Sequence, residues 1–153
     1  MIERVSRQVT SSGKTQAIIA PFTGETLAEL PVSTAEDVRA AHARARAAQE
    51  AWAALPVRER VRPFLRLHDA LLDRREEILD VVQWETGKAR RHAFEEVLDV
   101  AGCTLYYARR APGLLAPRRR AGIFPVATKV TEERHPKGVV ALISPGTTRS
   151  PSA

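Results

Sequence analysis

GVVALISP, residues 138–145, decides how the rest of the chain is read. The five residues from Val139 to Ile143 are apolar without alternation, the pattern of a strand buried on both faces in a parallel sheet. Such a strand needs a neighbour on each edge and helices over each face. Only eight residues follow Pro145, so the sequence opens a sheet and offers no further strand to complete it.

Immediately upstream, HPKG (135–138) fits a type I turn, with Pro136 second and Gly138 fourth. VATKVTEER (126–134) is extended and mostly polar, and APGLLAPRRRAGIFP (111–125) reads as loop from its prolines and glycines. A helix is expected over about 91–109. Phe94, Val97, Leu98, Ala101, Leu105 and Ala108 share one face, and Val100, Cys103 and Tyr107 lie nearly opposite. Two apolar stripes imply a helix covered from both sides.

Further upstream, 76–85 sets Ile78, Leu79 and Val82 on one side and closes at Gly87, suited to a left-handed cap, with Lys88 at the negative helix end. Before it, Val61, Phe64, Leu65, His68, Leu71 and Leu72 keep helical spacing; Pro63 means that this helix starts there or kinks. The first helix begins at Ser33, whose partner three residues on is Glu36, a capping box, with Asp37 adding charge at the positive end. Val38, Ala41, Ala45, Ala48, Trp52 and Leu55 give it one buried face, and Pro56 stops it. Residues 16–31 form a hairpin turning at Thr23-Gly24-Glu25.

The composition, 44% hydrophobic and 27% charged over 153 residues, is that of one globular domain. No apolar run exceeds the length of 139–143, far short of the ~20 residues that cross a bilayer, so a soluble, cytoplasmic chain without membrane contact is expected. Cys103, the sole thiol, cannot form an internal disulfide. The net charge of +6 is uneven: residues 1–99 hold 15 basic against 16 acidic side chains, and 100–153 hold 9 against 2. A small basic nucleic-acid binder is one reading. No aromatic residues interleave with Arg118, Arg119 and Arg120 as base stacking requires, which favours one solvated face of a larger protein.

Cys103 sits mid-helix on an apolar stripe, so core packing outweighs a nucleophile's role. His42, His68, His92 and His135 are too scattered for metal ligation, and no metal site is expected. Lys88 follows a glycine, but Val82 stands where a P-loop needs its first one.

In order, PFTGETLAELPVSTAEDVRAAHARARAAQEAWAALPVRERV, LLDRREEILDVVQWETGK, YYAR and PKGVVALISP resemble the N-terminal part of NAD(P)-dependent aldehyde dehydrogenases, closest to bacterial succinate-semialdehyde dehydrogenases. The resemblance implies an α/β fold: a hairpin and four-helix segment of the cofactor-binding domain, with the first strand of an otherwise missing parallel sheet. The expected divisions are an extended segment and hairpin (1–32), helices (33–115), a loop with oligomerisation-type strands (116–138), a first Rossmann-like strand (139–145) and an unrelated tail (146–153). It also implies oxidation of an aldehyde to a carboxylic acid by a cysteine, a glutamate-activated water and NAD or NADP. The catalytic cysteine and glutamate belong later in the family's sequence, so Cys103 does not inherit the role, no catalytic residue is assigned, and the chain alone is expected to be inactive and to bind no cofactor.

Ile143, Ser144 and Pro145 would form one wall of the cofactor site, since ligands of doubly wound folds sit beyond the strands' carboxyl ends. The strands of 126–134 would pair with intact dehydrogenase subunits. The resemblance ends at Pro145, because Gly146 and Thr147 stand where the family has tryptophan and asparagine. One deleted T in TGG AAC TAC CCG CTC ACC G yields codons for Gly-Thr-Thr-Arg-Ser-Pro, the residues at 146–151, so a frameshift is expected there. Exposed apolar faces should then make the chain prone to aggregate.

Overall fold

The computed structural model describes residues 11–124 and 127–143. Strands β1 (Thr15–Ile19) and β2 (Thr26–Pro31) pair antiparallel, Thr15 opposite Pro31, with the register slipping between Ile18 and Ile19. Gly24 adopts φ 74° in the connection, where its N–H donates to the Ala20 carbonyl at 2.9 Å. The expected hairpin is present.

Helix α1 (Ala35–Ala54) begins one residue later than the sequence reading placed it. Thr34 is the N-cap: Asp37 N–H donates to Thr34 Oγ1 at 3.2 Å, and Thr34 N–H donates to Asp37 Oδ2 at 2.8 Å. The box is therefore Thr34–Asp37 rather than Ser33–Glu36. Both pairs have the right chemistry, but only Asp37 also meets donors from Ser11 and Ser12. The helix stops before Pro56, with Leu55 as C-cap.

The expected buried face of α1 is absent. No residue of the helix is buried, and Val38 and Trp52 are 61% and 41% exposed.

A single turn, α2 (Val57–Arg60), leads into α3 (Arg62–Asp73). Pro63 lies in the first turn of α3, where the backbone donor it lacks would have no partner, so the helix starts there without a kink. Helix α4 (Arg75–Thr86) ends at Gly87, φ 71°, whose N–H reaches the Gln83 carbonyl at 2.9 Å. A Cβ at Gly87 would stand 3.0 Å from Pro21 Cγ, so the cap is also where the hairpin meets the helices. Phe22 confirms that joint by packing on Trp84 with ring centroids 5.0 Å apart.

Helix α5 (Arg90–Leu114) outruns its expected end and contains Pro112. That proline removes one donor close to the C-terminus, and the last turn still closes with Leu115 N–H on the Ala111 carbonyl at 2.9 Å. Part of the expected loop is therefore helix. Another part is strand: β3 (Arg118–Arg120) pairs antiparallel with β4 (Val130–Glu132), Arg118 opposite Glu132. Opposite charges across this pair supply what the arginine run lacks in strand pattern.

Helix α5 packs along α3 and α4. The buried side chains are small: Ala20, Leu79, Ala93, Val97, Ala101 and Ala108, with Leu79, Ala93 and Val97 forming the cluster between α4 and α5. Arg90 adds a polar clamp to this pair, its guanidinium meeting Asp80 at 2.6 Å and Glu76 at 2.5 Å. The hydrogen bonds that Arg90 donates to these carboxylates, Asp80 first, raise its pKa further. The second stripe of α5 is not covered by the described residues, contrary to expectation; Val100 is 52% and Tyr107 63% exposed, and Phe94 and Leu98, expected on the covered face, are 46% and 55% exposed.

Residues 133–143 have no regular structure, and His135–Gly138 is neither a turn nor a bend. The stretch expected as the first strand of a parallel sheet thus forms no ladder through Ile143. Without a neighbouring strand its backbone has nothing to pair with.

Candidate functional site

Among the three residues expected to wall the cofactor site, Ile143 is 93% exposed. Ser144 and Pro145 lie outside the described residues, as do 146–153 and the expected frameshift. Val140 and Leu142 are 81% and 89% exposed, so no described side chain closes over them, whereas Val139 is half-buried. Gly138, φ 112°, starts this segment close to α1, where Arg46 Nη1 lies 2.6 Å from the place a Cβ would take. A dinucleotide needs a concave, largely preformed cradle. The described residues of this segment do not form one.

Cys103 is exposed, which corrects the expectation of core packing. It borders an open groove of about 570 Å³ on α5 with Leu98, Asp99, Tyr106 and Tyr107. The helical period correctly marks an apolar stripe here, but a period cannot say whether the chain supplies a covering layer. The Cys103 thiol lies 3.8 Å from Asp99 Oδ1, next to a carboxylate rather than a base or positive helix end.

The histidines remain apart: His68 Nδ1 is 2.9 Å from Asp69 Oδ1, and His135 Nε2 is 3.5 Å from Glu133. No group of three His, Cys, Asp or Glu side chains suited to a metal occurs among the described residues. Lys88, next to the Gly87 cap, is paired with Glu96 of α5. Among the described residues no helix is long and apolar enough to cross a membrane.

Two charged clusters were not recognised in the sequence. Asp37 accepts from Ser12 Oγ at 2.9 Å, Ser12 N–H at 3.1 Å and Ser11 Oγ at 3.3 Å as well as from Thr34, tying the segment before β1 to the start of α1. Backbone hydrogen bonds from Thr34 and Ser12 hold its carboxyl well below the usual range. A serine pair upstream of an acidic N3 residue is too common a pattern to reveal this clasp. On the ribbon, Glu132 meets Arg120 at 2.5 Å and Arg134 at 3.0 Å, and the Arg120 hydrogen bond lowers its pKa. Cross-strand register was the missing information. These contacts fasten segments and supply no reacting group.

The profile described as the aldehyde dehydrogenase family matches residues 8–145. A Mycolicibacterium smegmatis protein named for succinate-semialdehyde dehydrogenase (NADP(+)) activity is 51% identical over 124 residues, covering 81% of this chain and 24% of that protein. Malonate-semialdehyde dehydrogenase 1 of Geobacillus kaustophilus is 38% identical over 140 residues, covering 90% and 28% respectively. An NAD-dependent benzaldehyde dehydrogenase from Corynebacterium glutamicum superposes with a TM-score of 0.69 at 30% identity, over 76% of this chain and 26% of its own. The chain spans about a quarter of the length of the curated relatives it matches. Since the match runs from ahead of the hairpin through every helix and the basic ribbon, the chain belongs to the aldehyde dehydrogenase family.

Proposed function

We propose that this chain supplies the outer helical layer and the entry to the cofactor-binding sheet of an NAD(P)-dependent dehydrogenase that oxidises a short semialdehyde to the carboxylic acid, and that the chain alone does not turn over. The supporting observation is the 51% identity over 124 residues to a relative named for succinate semialdehyde and NADP(+). The exposure of Ile143 supports the second half of the reading.

The test has two arms. The purified chain is mixed with NAD or NADP and succinate semialdehyde, and absorbance at the reduced-nicotinamide band is followed; no reduction is expected, and turnover would refute the reading. In the second arm the chain replaces the matching segment of the M. smegmatis relative. Restored NADP-linked oxidation of succinate semialdehyde is expected, and a well-folded but inactive chimera would refute it.

A second reading concerns partners. The β3–β4 ribbon has no third strand among the described residues, and Arg118, Arg119 and Arg120 are all exposed. This favours pairing of the 126–134 region with an intact dehydrogenase subunit, because an open strand edge is a template for another chain. Val126 itself lies outside the described residues. Co-purification with the full-length relative, lost when Thr131 is replaced by Pro, is the expected result; separate elution would count against it.

A further inference from the structure

The outer side of α5 is ordered symmetrically about Gly102. Leu98 stands four residues before it and Tyr106 four after; Glu95 stands seven before and Arg109 seven after. Steps of four and seven keep all five residues on one face of a helix, and all five are exposed. A Cβ at Gly102 would meet nothing within 4 Å, so the middle of the face lies open to close approach by a second helix. The charges are available for such a contact: Glu95, Asp99 and Arg109 form no salt bridge among the described residues.

Acidic side chains precede Gly102 on this face and basic ones follow it, so the face is its own complement when reversed. Laid antiparallel on a second copy with Gly102 at the crossing, Glu95 comes opposite Arg109 of the other copy and Leu98 opposite Tyr106. The two-fold relation makes each contact twice, as a contact between identical surfaces requires. At 1.5 Å per residue each Glu95–Arg109 pair lies about 10.5 Å from the crossing. Long side chains lean toward the N-terminus of their own helix, which carries Arg110 of the second copy toward Asp99 on the other flank. A parallel pair would instead oppose Glu95 with Glu95 and Arg109 with Arg109, at a cost in repulsion. We infer that the outer side of α5 joins a second copy of this chain, antiparallel and crossing at Gly102. The contact follows from the order of side chains on α5 and does not rest on the dehydrogenase reading.

The test is sedimentation velocity across protein concentration at low ionic strength, where exposed ion pairs are least screened. Reversible dimerisation is expected. E95R and R109E should each raise the half-association concentration about tenfold or more, because each sets like charges opposite one another twice. Both positions are exposed, so the far-ultraviolet circular dichroism of each variant should be unchanged. An equimolar mixture of the two variants should associate as the parent chain does, and so should the E95R/R109E double variant, since both arrangements restore opposite charges. Cys103, the sole thiol, reports the register. In the antiparallel pair the two thiols share one flank, about 3 Å apart along the helix axes, and a short bis-maleimide should join them. A chain that stays monomeric at every concentration overturns the inference. So does association that survives E95R and R109E, a mixture that fails to recover, or a dimer that cannot be cross-linked through Cys103.

Discussion

The two long sides of α5 differ in a way that ordinary amphipathic helices do not. On the side facing α3 and α4 the buried residues are Ala93, Val97, Ala101 and Ala108; on the other stand Leu98, Tyr106 and Tyr107, between 55% and 63% exposed. Small side chains let the helices approach closely, while the bulkiest apolar groups face away from them. A solitary domain would place its aromatic residues inside, because they contribute most area to a core. Here the inner side is a seam between neighbouring helices, and the outer side has the composition of a surface awaiting a second layer.

Leu79→Ala attacks the seam and should cost about 2–5 kcal/mol, the range for a buried leucine. Leu98→Ala on the outer side should stay within about 0.5 kcal/mol. Urea unfolding followed by helical circular dichroism measures both, and equal losses would erase the distinction between the sides. A smaller effect is expected where hairpin and helices meet. Gly87→Ala must hold a Cβ at positive φ against Pro21, at about 1–2 kcal/mol, with the loss visible in the same unfolding curves.

Thr34→Ala removes the cap of a helix that has no buried residue, and should cost about 1 kcal/mol, seen as fraying of α1 by amide exchange. The mildest perturbation is acid. The Asp37 pKa is lower in the folded chain than in the unfolded one, so its contribution is present above the ordinary carboxylate range and is lost as pH falls below it. Ser12 amide protection should therefore persist through mildly acidic pH and fall only in strong acid. Asp37→Asn should show no such step.

Local chemistry explains which of these features were legible in the sequence. Gly24 and Gly87 were readable because a turn or cap requiring positive φ has few other solutions. The start of α1 was misread by one residue because Ser33 and Thr34 are both cap formers followed at the same distance by an acid; the distant Ser12 resolves the tie. Arg118–Arg120 could not be recognised as strand, since its stability comes from Glu132, which lies beyond the turn. Cys103 exposes the deeper limit: a stripe of apolar residues records that something covers the helix, without recording whether that cover belongs to the same chain.

The stacking of Phe22 on Trp84 gives the molecule a built-in optical gauge. Trp84 reports on whether the hairpin is seated, while Trp52 lies on α1, outside that joint. In a Trp52→Phe chain the remaining indole emission would track undocking of the hairpin separately from melting of the helices, resolving two events that a helical signal merges.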